Sequence, residues 1–538
     1  MRDAWMRAGL LLCGVVGMTA GCFQVPADAS APDRNESSGT GGTGGSGGGG
    51  GDGTFSSGGA GGSMSGGGDD DCAIGQYPTV GEIPAGATVR YVSSICTAKP
   101  GEGDGTRDKP FASLQEAVKG SAPGDYLVLM NKSIFPENVV IDKPLTILGT
   151  DPETPAEEAS IIVQAPAPNA IIVQSKDVTL RGLIVQNPQG AGIWVQGGAA
   201  TIDASKVTKA EKSGGTELER GNGILATDDA SIIVQRTIIV QSDNTGVLMQ
   251  GSRGTITGST ISENKGVAGI WVQRSSGFVT LSGNMIAANA GTGVSVLSSR
   301  AIIVQNTIGE TAVGGNGDDR ADGIVVAEHF VNGVSEGFAE ASLQGNEISG
   351  NARLGVLFSG DARGIIVQNT VKGNGAADTA KRGAGIWVQS GAGALAPITI
   401  EQNVASGNGF ANIGVGGNSR AIIVQNPSIG SAIAKPWTAN GVTANAGEGI
   451  VVFGGGHASI KNNVLAANGR SAVLLEGSAS GTTVQGNTIS GSEYAIIVQN
   501  TPEMPFLEMN TLLDNGKIDI VAAGQAGHPV PHETFDTP

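Results

Sequence analysis

Short apolar runs rich in Ile and Val recur from about residue 90 to residue 524, each closed by Gly, Asn or a pair of polar residues. Runs of this length between turn residues predict strands rather than helices. The word IIVQ stands at eight places, starting at Ile161, Ile171, Ile232, Ile238, Ile302, Ile365, Ile422 and Ile496, and IWVQ at three more. Such a unit buries its apolar face only against its neighbours, so the pattern predicts a stacked array. If each coil opens at a G-[IV]-x-[VM]-like strand, starts fall at Ile171, Ile193, Ile224, Val247, Ile270, Val294, Ile324, Val356, Ile386, Ile413, Ile450, Val473 and Ile496, with several intervals of 22 to 24 residues. Coils stacked at about 4.8 Å give a rod roughly 60 Å long. Insertions rich in Gly, Asp and Lys at 209–222, 309–322 and 373–382 are expected as loops leaving one or more corners.

A second register runs beside the strands. Asparagine recurs at Asn284, Asn306, Asn346, Asn369, Asn403, Asn426, Asn463, Asn487 and Asn510, and again at Asn264, Asn289, Asn351, Asn374, Asn408, Asn468 and Asn515. Asn tolerates the left-handed conformation and its amide bonds equivalent amides above and below, so ladders of left-handed asparagines are expected, with a structural role. The IIVQ words occupy the opening strand at Ile171 and Ile496, but the strand leading to the ladder asparagine at Ile302, Ile365 and Ile422. One structural role would hold the word at one site. Its spread points to an element copied at the DNA level into a tolerant fold, which codons as varied among the copies as in the surrounding Ile, Val and Gln would contradict.

Ahead of the array, Phe111, Leu114 and Val118 share a helical face and Gly120 ends the pattern, predicting one short helix. Strands are expected at 126–130, 139–141 and 145–148. The segments KPFASLQEAV, PGDYLVL and ENVVIDKPLTILG resemble the N-terminal part of pectin-lyase-like proteins. This resemblance, extended over about residues 90–524, implies an all-β fold: a right-handed parallel β-helix solenoid with a short N-terminal capping helix. Such a cap covers an apolar first rung and its unpaired strand edges.

Composition adds most at the N-terminus. Of 538 residues 88 are glycine and 4% aromatic, which implies a narrow core, and the net charge of -17 lacks the basic field that nucleic acid requires. Arg2 and Arg7 precede an apolar stretch at 8–16, too short to span a bilayer, as in an export signal. The sequence TAGC at 19–22 resembles a bacterial lipobox. That resemblance implies acylation of Cys22, membrane attachment through lipid alone, and, with Phe23 in place of an inner-membrane retention aspartate, placement at the outer membrane or cell surface. Cys13 leaves with the signal and Cys22 takes lipid, so Cys72 and Cys96 are expected to form a disulfide in an oxidising compartment. The Gly/Ser-rich stretch that follows Cys22 has almost no large apolar residues and reads as a disordered tether with a reach of roughly 35 to 40 Å. The expected divisions are 1–21 signal peptide, 22–71 tether, 72–150 cap and first rungs, 151–524 β-helix and 525–538 tail, in a monomer.

Two groups of residues carry candidate chemistry. Six residues before the ladder asparagine, or before its equivalent Ser259, stand Arg253, Arg300, Arg363, Arg420 and His457. The arginines fall on every second rung, about 10 Å apart, with Phe278, Glu340 and Pro397 between them. Guanidinium groups suit bidentate carboxylate or sulfate contacts, and two sugar units repeat on that scale, so these residues are candidates for binding an extended polysaccharide. A solvated corner is the simpler reading. The second group is NGDDRADG, with Asp318, Asp319 and Asp322, followed by Glu328 and His329. Three carboxylates in one loop suit a hard cation such as Ca2+, and a flanking pair suits sugar-bond cleavage. The family resemblance implies lyases, hydrolases and epimerases as well as inert rods, yet no ordered set of its catalytic motifs is present. Arg300, His329 and Asp361 occupy near-equivalent positions on successive rungs and are expected to face the acidic cluster. Trp194, Trp271 and Trp387 are either core residues or aromatic platforms for sugars. The preferred expectation is a noncatalytic, lipid-anchored rod that binds extracellular or cell-wall polysaccharide, without a required cofactor. The alternatives are a polysaccharide lyase, hydrolase or epimerase centred at 318–329, and a structural surface spacer.

Overall fold

The computed structural model describes residues 83–522 apart from 97–100, 151–160, 164–167, 215, 217, 314–320, 376–382, 431–434, 440–441, 479, 502–504 and 516–517. All of them fall in the unit Gly67–Pro538. Each coil gives one strand to each of three parallel sheets, here A, B and C, with 16, 15 and 15 strands. The thirteen expected coil starts form one unbroken column of sheet C, in which every start pairs with the next. Val139 extends that column at one end and Ile520 at the other. The result is a right-handed parallel β-helix.

A single core runs through the coil from Val92 to Val498. In sheet C the first and third residues of a strand point inward, as Ile171 and Val173 do, whereas each three-residue strand of sheet B turns in only its middle residue, such as Ile239 or Ile261. This explains the tolerance for IIVQ. Three consecutive branched apolar residues satisfy either phase of the alternation, and where the word sits in sheet A its surplus residue faces solvent, leaving Ile233, Ile365 and Ile422 exposed. The glycine that opens G-[IV]-x-V has an equally local cause. A Cβ on Gly192 would stand 2.4 Å from Val207 and 2.6 Å from the Gly223 carbonyl, and one on Gly223 would stand 2.5 Å from Ile239. In these coils the chain bends into sheet C where no side chain intervenes, while Ala170, Asn412, Ala472 and Ala495 hold the same place in others.

The first asparagine ladder is continuous and the second is formed in part, with Thr311 and Ser492 standing between its asparagines, and one correction applies to both. The left-handed residue is the one before each ladder asparagine, for instance Gln305 (φ 53°), Gln368 (φ 56°) or Gln425 (φ 54°), and not the asparagine itself. That turn aims the following amide into the coil. Asn284 Nδ2 donates to Asn306 Oδ1 (2.9 Å), and amide-to-amide bonds continue through Asn346, Asn369, Asn403, Asn426 and Asn463 to Asn487 and Asn510. The second ladder has no asparagine in the turn between Asn408 and Asn468. There Asn412 replaces the strand-opening glycine, accepts from Asn408 (2.8 Å) and donates to Asn468 (3.3 Å).

The expected helix is Leu114–Gly120, with Leu114, Ala117 and Val118 buried against the first strands. Ser113 Oγ accepts from Glu116 N (3.1 Å), while Glu137 accepts from the Leu114 and Gln115 amides (2.9 Å each), so a carboxylate faces the positive end of the helix. The insertions at 209–222, 309–322 and 373–382 all leave the corner between sheets B and C, as does an unanticipated antiparallel hairpin, Lys435–Ala439 with Val442–Ala446. A second hairpin, Phe330–Val331 with Val334–Ser335, leaves the corner between C and A, which most other coils turn in a few residues. Among the described residues no helix is long and apolar enough to cross a membrane. Cys96 is buried with its sulfur 3.7 Å from that of Met130; Cys22 and Cys72 lie outside the described residues.

Candidate functional site

The arginines of sheet A stand in one column. Gly254 pairs with Val279, which puts Arg253 beside Phe278, and Phe278, Arg300, Glu340 and Arg363 then pair in succession. The same register carries the column past Pro397 to Arg420, which pairs with His457. Most of these cations have intramolecular partners. Arg253 meets Asp229 at 2.8 Å, Arg300 meets Glu340 at 3.6 Å and Arg363 meets Asp361 at 3.1 Å. A hydrogen bond from Ser276 and then the Arg253 charge hold the Asp229 carboxyl below its ordinary value. Arg420 is exposed and makes no ion pair among the described residues. Pairs this exposed contribute about 0 to 1 kcal/mol each, so an incoming carboxylate can displace them.

Aromatic rings fix the middle of the column. The Arg300 guanidinium lies 5.1 Å from the Phe338 ring centre and 5.8 Å from that of Phe278, and Arg363 lies 4.2 Å from Phe338. Phe338 directly follows the 330–335 hairpin and its short descent, so a single insertion holds two guanidinium groups two rungs apart. Nothing in the sequence pattern marked this residue.

The other side of that insertion borders a cleft of about 520 Å³ on the outer face of sheet C, lined by Trp271, Leu297, Leu357, His329, Glu328, Arg353 and Gln389 among others. His329 Nδ1 lies 2.6 Å from Glu336, whose other oxygen accepts from Arg274 (3.1 Å). Burial alone would raise the Glu336 pKa. Hydrogen bonds from His329 and Gln273, with the Arg274 charge, outweigh it and hold the group below its ordinary 4.5. All three tryptophans of the IWVQ words occupy the outward-facing second place of the word, between two core residues. Trp194 Nε1 donates to Thr227 (2.9 Å) and Trp387 Nε1 to Gln389 (2.9 Å), whereas Trp271 Nε1 is buried without a hydrogen-bond partner among the described residues. Trp387 lies over Gly414, where a Cβ would stand 2.1 Å from the ring.

Asp318 and Asp319 lie outside the described residues. Asp322 is fully buried and accepts from Arg353 Nε (2.8 Å) and Leu354 N (3.1 Å). The same device recurs at Glu448, two residues before its sheet C start as Asp322 is, paired with Arg470 at 3.0 Å and bonded to Ser471. An acid that recurs at an equivalent place in a distant coil is a structural tie between coils. Of the residues expected to face the acidic cluster, Arg300 pairs with Glu340, His329 with Glu336 and Asp361 with Arg363. Among the described residues no group of three or more His, Cys, Asp or Glu is placed to hold a metal ion.

This chain is similar to several solved structures. The mannuronan C-5 epimerase AlgE6 A-module of Azotobacter vinelandii is 12% identical with a TM-score of 0.38, over 80% of this chain and 91% of that one. The periplasmic alginate epimerase AlgG is 13% identical with a TM-score of 0.35, over 77% and 84%. An alginate lyase from Paenibacillus sp. str. FPU-7 is 16% identical with a TM-score of 0.34, over 48% and 91%. Chemistry does not transfer between chains at such distances. No curated protein matches this chain in sequence. The family model described as right handed beta helix region matches residues 169–331, 333–429 and 437–528, in agreement with the register of the three sheets, and the chain belongs to that family.

Proposed function

We propose that this protein is an exported, lipid-anchored rod that binds an acidic polysaccharide along sheet A without transforming it. The observation that carries this reading is the column Arg253, Arg300, Arg363 and Arg420, which repeats on every second rung of a rigid sheet and is braced at its centre by Phe338. Cations on a stiff parallel sheet are already spaced for an extended polymer, so little ordering entropy opposes binding. The test is to incubate the full-length protein with acidic and neutral polysaccharides, with and without calcium, following both retention and new reducing or unsaturated ends. Retention without products, weakened by Arg300→Ala with Arg363→Ala, is expected.

The cleft beside Trp271 favours a second reading. A histidine whose Nδ1 faces a carboxylate has Nε2 as its basic nitrogen, a suitable arrangement for proton abstraction in a lyase or epimerase or for hydrolysis. Product formation lost in His329→Ala would replace the binding rod with that enzyme. Neither retention nor products would leave a structural surface spacer.

A further inference from the structure

The positions between the arginines have a chemistry of their own. Phe278 separates Arg253 from Arg300, Glu340 separates Arg300 from Arg363, and Pro397 precedes the strand between Arg363 and Arg420. Along one line of the rod the surface therefore alternates a cation with a residue that is apolar or anionic. An extended sugar chain advances by roughly one rung, about 5 Å, per pyranose unit. Successive sugars thus meet an arginine and a non-cationic residue in turn.

We propose that the ligand alternates an acidic sugar with an uncharged one, and that Glu340 is a specificity-determining residue that rejects chains acidic at every unit. This deepens the reading above and rests on it. A carboxylate opposite Glu340 would meet a like charge, which is how interfaces suppress wrong partners. An uncharged sugar there instead offers hydroxyl groups to the Glu340 carboxylate, and at the neighbouring positions its apolar face meets Phe278, which is 51% exposed, or Pro397. The formal charge of -17 acts in the same direction, because the protein as a whole repels dense polyanions and the arginine column offsets this locally. The register sets Arg300 and Arg363 on alternate rungs, and Phe338 packs against both guanidinium groups.

The deciding experiment compares the affinity of the full-length protein for two oligosaccharides of equal length at one ionic strength. One is a hyaluronan fragment, with a carboxylate on every second sugar; the other is a mannuronan fragment, with one on every sugar. The hyaluronan fragment is expected to bind about tenfold more tightly despite half the charge, a difference of roughly 1.4 kcal/mol. In Glu340→Gln the mannuronan fragment is expected to gain affinity, reducing the ratio to about threefold or less, while Arg300→Ala weakens both fragments. Equal or tighter wild-type binding of mannuronan, or a ratio unmoved by Glu340→Gln, would overturn the alternation and leave the binding rod standing. Failure of both fragments to bind, with the fold intact by circular dichroism, would remove the binding rod as well.

Discussion

Replacing Asn369 by alanine tests what holds the coils together. Its Oδ1 accepts from Asn346 N (2.9 Å) and Asn346 Nδ2 (2.8 Å), and its Nδ2 donates to Leu343 O (3.0 Å), Val367 O (3.0 Å) and Asn403 Oδ1 (3.1 Å). Asn403 Oδ1 keeps the Asn369 backbone amide, but the Asn346 amide, one Asn346 side-chain N–H and the Leu343 carbonyl lose partners in a site closed to water. At about 1 to 2 kcal/mol for each orphaned buried group, the loss comes to about 4 kcal/mol. Asn510, at the end of the same ladder, is only partly buried, so water replaces its amide and Asn510→Ala is expected to cost about 1 kcal/mol. Urea unfolding followed by circular dichroism gives the midpoint shift, and hydrogen exchange of the Asn346 and Asn403 coils locates the loosening, because a solenoid unfolds through nearest-neighbour contacts. Equal losses at the two positions, or a loss below about 1 kcal/mol at Asn369, would refute the ladder as the source of inter-coil stability.

Asp322→Ala is expected to destabilise the protein by about 3 kcal/mol in a thermal melt, through loss of a buried ion pair, while polysaccharide affinity stays within about twofold. Glu336 titrates below its ordinary 4.5 in the folded protein, so its contribution is complete above that value and is lost as pH falls through the folded pKa. Proteolysis of the 330–335 hairpin should therefore accelerate below about pH 4.5 in the wild type and show no such step in Glu336→Gln. Mass spectrometry of the exported protein should find acylation at Cys22 and a peptide joining Cys72 to Cys96; a free thiol at Cys96 would contradict the pairing.

The coils were legible because each imposes the same local demand at the same interval. Glycine recurs where a Cβ would strike the next coil, as at Gly192 and Gly223, and asparagine recurs where an amide must span two coils. The arginine column was legible for the same reason: a parallel in-register sheet turns sequence spacing directly into position. What could not be read arose where one coil departs from the rest. Phe338 meets Arg300 and Arg363, and Glu336 meets Arg274, only because a hairpin folds back over its neighbours, and an insertion without a period carries no register. Asn412 escaped notice because it fills a ladder gap from the glycine position rather than from the turn. The left-handed turn residue was misplaced by one, since Asn and the Gln or Gly before it both tolerate positive φ and only the direction of the buried amide separates them. Asp322 looked like part of a catalytic cluster until its counterpart Glu448 showed the same tie in another coil.

Arginine footprinting shows whether an acidic polysaccharide lies along sheet A. The full-length protein is treated with phenylglyoxal with and without saturating ligand, and modification is read at each arginine by mass spectrometry. Protection of Arg253, Arg300, Arg363 and Arg420 together is expected, with Arg274 unchanged on the sheet C side. Protection confined to Arg274 and Arg353, beside the cleft, would contradict it and move the ligand to the Trp271 face.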